Sequence, residues 1–101
     1  MTQLYLKPIE GTHIFSNRIT GECYRHNFSL DEKDNDQEQY VISLPLNTWS
    51  INPSFFIGLF LKSIDNLGET KFRDKYKFSC IESYLFENIE QGICDCIESL
   101  T

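Results

Sequence analysis

At 101 residues the chain is long enough for one hydrophobic core and too short for two. A hydrophobic share of 41% and an aromatic share of 14% exclude a disordered polypeptide, and no apolar run approaches the ~20 residues of a membrane-spanning helix. A net charge of −6 argues against general nucleic-acid affinity, which needs a dominant positive field.

Residues 3–9, QLYLKPI, alternate polar and apolar side chains and read as a first strand, closed by Pro8 and Gly11. The opening MTQLYLKPIEG has neither the charge nor the apolar run of a signal peptide, so a soluble, cytoplasmic protein is expected. Ser16 is the candidate N-cap of a helix over 17–28, with Ile19, Cys23 and Tyr24 facing inward and Gly21 weakening it. DEKDNDQE, residues 31–38, holds five acids and no apolar residue, and the segment 31–39 reads as a mobile acidic loop.

QYVISLPL, residues 39–46, is the best strand candidate, and its ladder must end near Pro45, which lacks a backbone donor. A helix over 53–67 follows, with Asn52 as N-cap, Pro53 at the first helical position and Gly68 just past the end. Its run Phe55–Leu61 has no polar side chain, so this helix must be nearly surrounded by protein. After a short helical turn comes a strand at about 75–80, placing Tyr76, Phe78 and Cys80 on one face. In the last helix Leu85, Ile89, Ile93, Ile97 and Leu100 recur every three or four residues, opposite Glu87, Gln91, Asp95 and Glu98. This alternation predicts a single small α/β domain over 1–101, with a mostly parallel or mixed sheet of three to four strands packed by helices.

Few residues are suited to catalysis. Cys23 and His26, with Cys94 and Cys96, have the chemistry of zinc ligands, but side chains two apart on a helix diverge. Cys94 and Cys96 also sit among acids, which disfavour a thiolate nucleophile. There is no phosphate loop, dinucleotide fingerprint or paired-carboxylate motif, and His13 stands alone in a loop. The expectation is a non-enzyme with free thiols, no metal and no cofactor.

The start of the apolar helix is more informative. A helix N-terminus offers free backbone donors and a positive dipole end to an anion or a phosphorylated serine, and Ser50 and Ser54 are the serines there. In the competing reading, Asn52 and Ser54 only satisfy the helix's own orphan N–H groups. Trp49 in this polar loop is either a partner-binding anchor or a cap on the core.

YVISLPLNTWSINPSFFIGLFLKSIDNLGETKFRDKYKFSC resembles the second half of STAS-like proteins, the small prokaryotic relatives of anti-sigma factor antagonists. The shared features are a strand, a short loop, a Ser-Phe step opening an apolar helix, a Leu-Gly pair and a segment like KFRDKYKF. GTHIFSNRITGECYRH is similar to the first helix of that family, so that the resemblance covers roughly residues 9–100. It implies a STAS-type α/β fold and a non-enzymatic regulatory role, docking a partner protein such as a histidine-kinase-like ATPase. The implied contact set is Asn47, Thr48, Trp49, Ser50, Asn52 and Ser54. The family's phosphorylatable serine position falls on Pro53, leaving Ser54 as the neighbouring candidate, with Asn52 in place of the usual preceding acid. Ile57 and Gly58 stand where the family carries an acid early in this helix.

A second reading comes from charge. A small acidic inhibitor, encoded by a phage or mobile element, could mimic nucleic acid and block a nucleic-acid-binding enzyme through surface carboxylates. Asp31, Glu32, Asp34, Asp36, Glu87 and Asp95 would form that surface. Neither reading involves direct nucleic-acid or membrane binding. An edge strand over 3–9 could also pair with its copy in a homodimer.

Overall fold

The computed structural model describes residues 2–7, 14–46, 48–79 and 82–101. In chain order it contains β1 (Thr2–Tyr5), β2 (Ile14–Phe15), α1 (Arg18–Asn27), α2 (Leu30–Lys33), β3 (Tyr40–Ser43) and β4 (Ser50–Ile51). These are followed by α3 (Pro53–Leu67), α4 (Glu69–Lys75), β5 (Tyr76–Ser79) and α5 (Ser83–Ser99). The main sheet is parallel with strand order β1-β3-β5, in the α/β class that the alternation of elements predicts.

Period-two alternation gives the sheet two different faces. Leu4, Ile42 and Phe78 lie in register on the face that meets the core, beside Tyr40 and Tyr76. The other face presents Gln3, Val41 and Lys77 in one row and Tyr5, Ser43 and Ser79 in the next. Gln3, Tyr5, Lys77 and Ser79 are exposed. Parallel sheets are normally covered on both sides; on this outer face the central Val41 is half-buried and Ser43 is buried, accepting a hydrogen bond from the Gln3 side chain.

Helix α3 is the centre of the core. Asn52 caps it by accepting a hydrogen bond from the Ser54 amide at 2.9 Å, Pro53 occupies the first turn, and Gly68 ends it at φ 80°. Phe55, Phe56, Leu59, Phe60 and Ile64 are buried along it, and α1 and α5 pack on either side. From α5, Leu85, Ile89 and Ile93 are buried as their spacing requires, Ile97 is half-buried and Leu100 is exposed.

Two expectations are corrected here. Helix α1 does not turn Ile19 and Cys23 inward: Ile19 is 73% exposed and Cys23 is exposed, while Gly21 and Arg25 are buried. The cause is the close approach of the two backbones at Gly21 and Gly58, which rotates α1 so that its glycine meets α3. Nor are residues 31–38 a structureless loop of solvated acids. Leu30, fully buried, anchors the short helix α2, and Asp34 just beyond it is 4% exposed.

The pair β2–β4 is a separate two-stranded parallel ladder with Ile14 opposite Ser50 and Phe15 opposite Ile51. The first strand is shorter than the sequence suggests, and residues 8–9 of its expected range lie outside the described residues.

Candidate functional site

Beyond Ser43 the chain leaves the sheet at the carboxyl ends of the parallel strands, the end where open α/β sheets place their binding sites. Leu44 donates to the Ser79 carbonyl at 3.1 Å, and Thr48 closes a turn by donating to the Pro45 carbonyl at 3.2 Å. The second half of the loop is held from two sides. Asn88 of α5 accepts from the Ile51 amide at 2.8 Å, and the Phe15 carbonyl of β2 accepts from Asn52 at 2.8 Å. Tyr84 reaches the Thr48 carbonyl at 3.4 Å, a long contact.

This anchoring decides what the loop can present. Thr48 is buried, and its hydroxyl has no hydrogen-bond partner among the described residues. Trp49 is 61% exposed and Leu46 is 80% exposed. Trp49 therefore does not cap the core. Two large apolar side chains project from a segment whose backbone is tied to α5 and β2. Tyr84, at the start of α5, is a second exposed aromatic, and its hydroxyl reaches this loop.

Of the other expected contact residues, Ser50 is half-buried in β4, and Asn47 lies outside the described residues. Asn52 and Ser54 are exposed, but the Asn52 side chain is committed to the Ser54 amide, as in an ordinary helix cap. Along with Trp49, the structure exposes Leu46 on this loop and Tyr84 at its side, two residues that sequence reasoning had not singled out. A leucine directly after Pro45, beyond the end of a strand, was the available signal for Leu46.

The acidic set is scattered rather than gathered. Asp34 is not on the surface at all. Its carboxylate accepts from Arg25 Nη2 at 2.7 Å, from the Ser63 hydroxyl at 2.8 Å and from the Tyr76 hydroxyl at 2.6 Å. The same guanidinium donates to Asp31 at 2.8 Å and to the Leu59 carbonyl at 3.0 Å. Burial and the Asp34 carboxylate together push the Tyr76 hydroxyl well above its ordinary range. This knot joins α1, α2, α3 and β5 around an Asp34 side chain that is 2% exposed, at the edge of a cleft of about 530 Å³ also lined by Asp36, Lys71, Asp74 and Lys75.

Asp36 hydrogen-bonds Lys75 at 2.7 Å and also accepts from Tyr40. Those two bonds, Lys75 first, hold its carboxyl at about 2. The Arg25 hydrogen bond lowers Asp31 in the same way. Glu32 and Glu87 are exposed, and Asp95 is half-buried, accepting from Gln91 at 2.9 Å.

The three described cysteines are free. Cys96 is fully buried while Cys94 and Cys23 are exposed, and burial, followed by the nearby Asp95, pushes the Cys96 thiol up to about 12. Among the described residues no group of three or more His, Cys, Asp or Glu side chains is placed to hold a metal ion. His13 and Cys80 lie outside the described residues. No described helix is long and apolar enough to cross a membrane. No protein-family model, curated protein or solved structure matches the chain.

Proposed function

We propose that this chain is a non-enzymatic regulatory domain of STAS-like type that docks a partner protein through the loop 46–54. The observation that carries the proposal is the 61% exposure of Trp49, three residues after an 80% exposed Leu46, on a loop whose backbone is held at Ile51 by Asn88 and at Asn52 by Phe15. Exposed aromatics on a preorganised segment make good binding anchors, because little conformational entropy is lost when they are covered. The sequence resemblance supplies the class of partner, a protein such as a histidine-kinase-like ATPase. Ser54, exposed on the first turn of α3, is the serine that a partner kinase of that class would reach.

The inhibitor reading keeps exposed Glu32 and Glu87 but loses Asp34 from its surface. Mimicry of nucleic acid needs unpaired carboxylates in a row, whereas Asp31 and Asp36 are bonded to cations and Asp34 is in the interior. Affinity purification from the native host separates the two readings. Retention of a partner should fall about tenfold with Trp49→Ala and be sensitive to Ser54→Asp, while Glu32→Gln should leave it unchanged. Loss with Glu32→Gln and retention with Trp49→Ala would favour the inhibitor.

A further inference from the structure

Strand β5 is an edge of the main sheet, and among the described residues no strand pairs with its outer side. The Leu44 amide donates to the Ser79 carbonyl, so Ser79 and, two residues earlier, Lys77 face β3. Phe78, between them, therefore turns its own N–H and C=O toward the open edge. Beside that edge runs a groove of about 220 Å³ between β5 and α5, floored by the buried Ile89 and Ile93 and walled by Phe78 and Phe86. Phe86 is 44% exposed although it lies on a helix whose opposite side is core. Arg73 forms a two-bond bridge to Glu90 at 2.8 Å at the rim, which neutralises the groove's acid.

We infer that this edge and groove accept an extended segment of a partner protein as an added strand, with apolar side chains alternating with acidic ones. The backbone groups of Phe78 favour the extended form, because an added strand satisfies its N–H and C=O together. Alternation specifies the side chains. Those of an added strand point by turns into the apolar groove and toward the outer sheet face, where exposed Lys77 stands. Of the basic side chains lining the groove, Arg73 is paired with Glu90 and Glu69, which leaves exposed Lys77 as the base in no ion pair among the described residues of a chain of net charge −6. An acid on the outer side of the incoming strand meets Lys77, and a lysine there is repelled. The same lysine guards the short edge against pairing with a second copy, which would set Lys77 near its own duplicate. This surface is separate from the loop 46–54 and stands whether or not that loop docks a partner.

The test is a titration of the whole chain, followed by amide NMR, with a blocked heptapeptide alternating aspartate with valine and leucine. A second peptide carries lysine in place of aspartate. The acidic peptide should shift the Phe78, Ser79 and Phe86 amides and bind at least tenfold more tightly than the lysine peptide. Phe86→Glu, a change at an exposed position, should weaken it about tenfold, and Lys77→Glu should reverse the charge preference. The inference is overturned by an unmoved Phe78 amide at about 1 mM peptide, by equal binding of both peptides, or by shifts confined to β1. It is equally overturned if light scattering shows the edge already filled by a second copy.

Discussion

Gly21 of α1 and Gly58 of α3 meet where the two helices cross, and neither site has room for a methyl group. A Cβ on Gly21 would lie 2.9 Å from the Leu59 amide nitrogen and closer still to the Phe55 carbonyl oxygen. One on Gly58 would lie 3.0 Å from the Glu22 amide nitrogen and closer to the Arg18 carbonyl oxygen. Helix propensity alone favours alanine over glycine by about 1 kcal/mol. The contacted atoms are backbone and cannot rotate away, so the clash should win. Gly21→Ala and Gly58→Ala are each expected to destabilise the fold by about 2–3 kcal/mol in denaturant unfolding. A gain in stability for either would mean the helices do not cross this closely.

The Arg25–Asp34 pair sits at the next point of contact among the same helices. Both side chains are nearly enclosed, 8% and 2% exposed, so removing one leaves the other charged and buried. Asp34→Ala should cost about 3–5 kcal/mol. The double variant Arg25→Met with Asp34→Leu should cost less than Asp34→Ala alone, because it strands no charge. A double-mutant cycle checks this, and strict additivity would contradict it.

These two contacts show where sequence reasoning reaches and where it stops. The strands and long helices were legible because each carries its own signal. β-branched Val41 and Ile42 mark Tyr40–Ser43, and the Asn52, Pro53 and Gly68 boundary residues mark α3. The inward side of α1 was misread because its contact residues are a glycine and an arginine, not the apolar Ile19 and Cys23. Asp34 looked like one acid in a run of five. Its burial depends on Arg25, Ser63 and Tyr76, the last 42 positions away, and no local pattern encodes that. At the candidate site, Trp49 stood out as an aromatic among polar residues. The β2–β4 ladder and the Asn88 tether that hold its loop did not, being too short or too distant to leave a pattern.

The paired carboxylates set the acid limb of stability. Asp36 has its folded value lowered to about 2 from 3.8, and Asp31 and Glu90 are also lowered, each by its cation. A lowered carboxylate contributes stability that is present above its unfolded value and is lost as pH falls through its folded one. The denaturation midpoint should therefore be level from neutrality down to about pH 5 on account of these groups, then fall between about 4 and 2. Asp36→Asn should flatten part of that decline, and an unchanged slope would show that the Lys75 contact does not form in solution.

Thiol reactivity tests the register of α5. With its thiol held at about 12 and no exposure, Cys96 should resist alkylation at pH 8 until the chain unfolds. Cys23 and Cys94, both exposed, should react at once. Peptide mapping after brief alkylation distinguishes them, and early labelling of Cys96 would contradict the burial of that helix face.

The loop itself can be probed in place. Trp49 is the single tryptophan of the chain, and its replacement by alanine should change stability by less than about 1 kcal/mol, since it is mostly exposed. The decisive measurement is therefore photocrosslinking in the native host, from a benzoylphenylalanine placed at Trp49 and, in a separate strain, at the exposed Glu87. One protein should be captured from position 49 and not from position 87. No capture from position 49, or equal capture from both, would contradict docking through this loop.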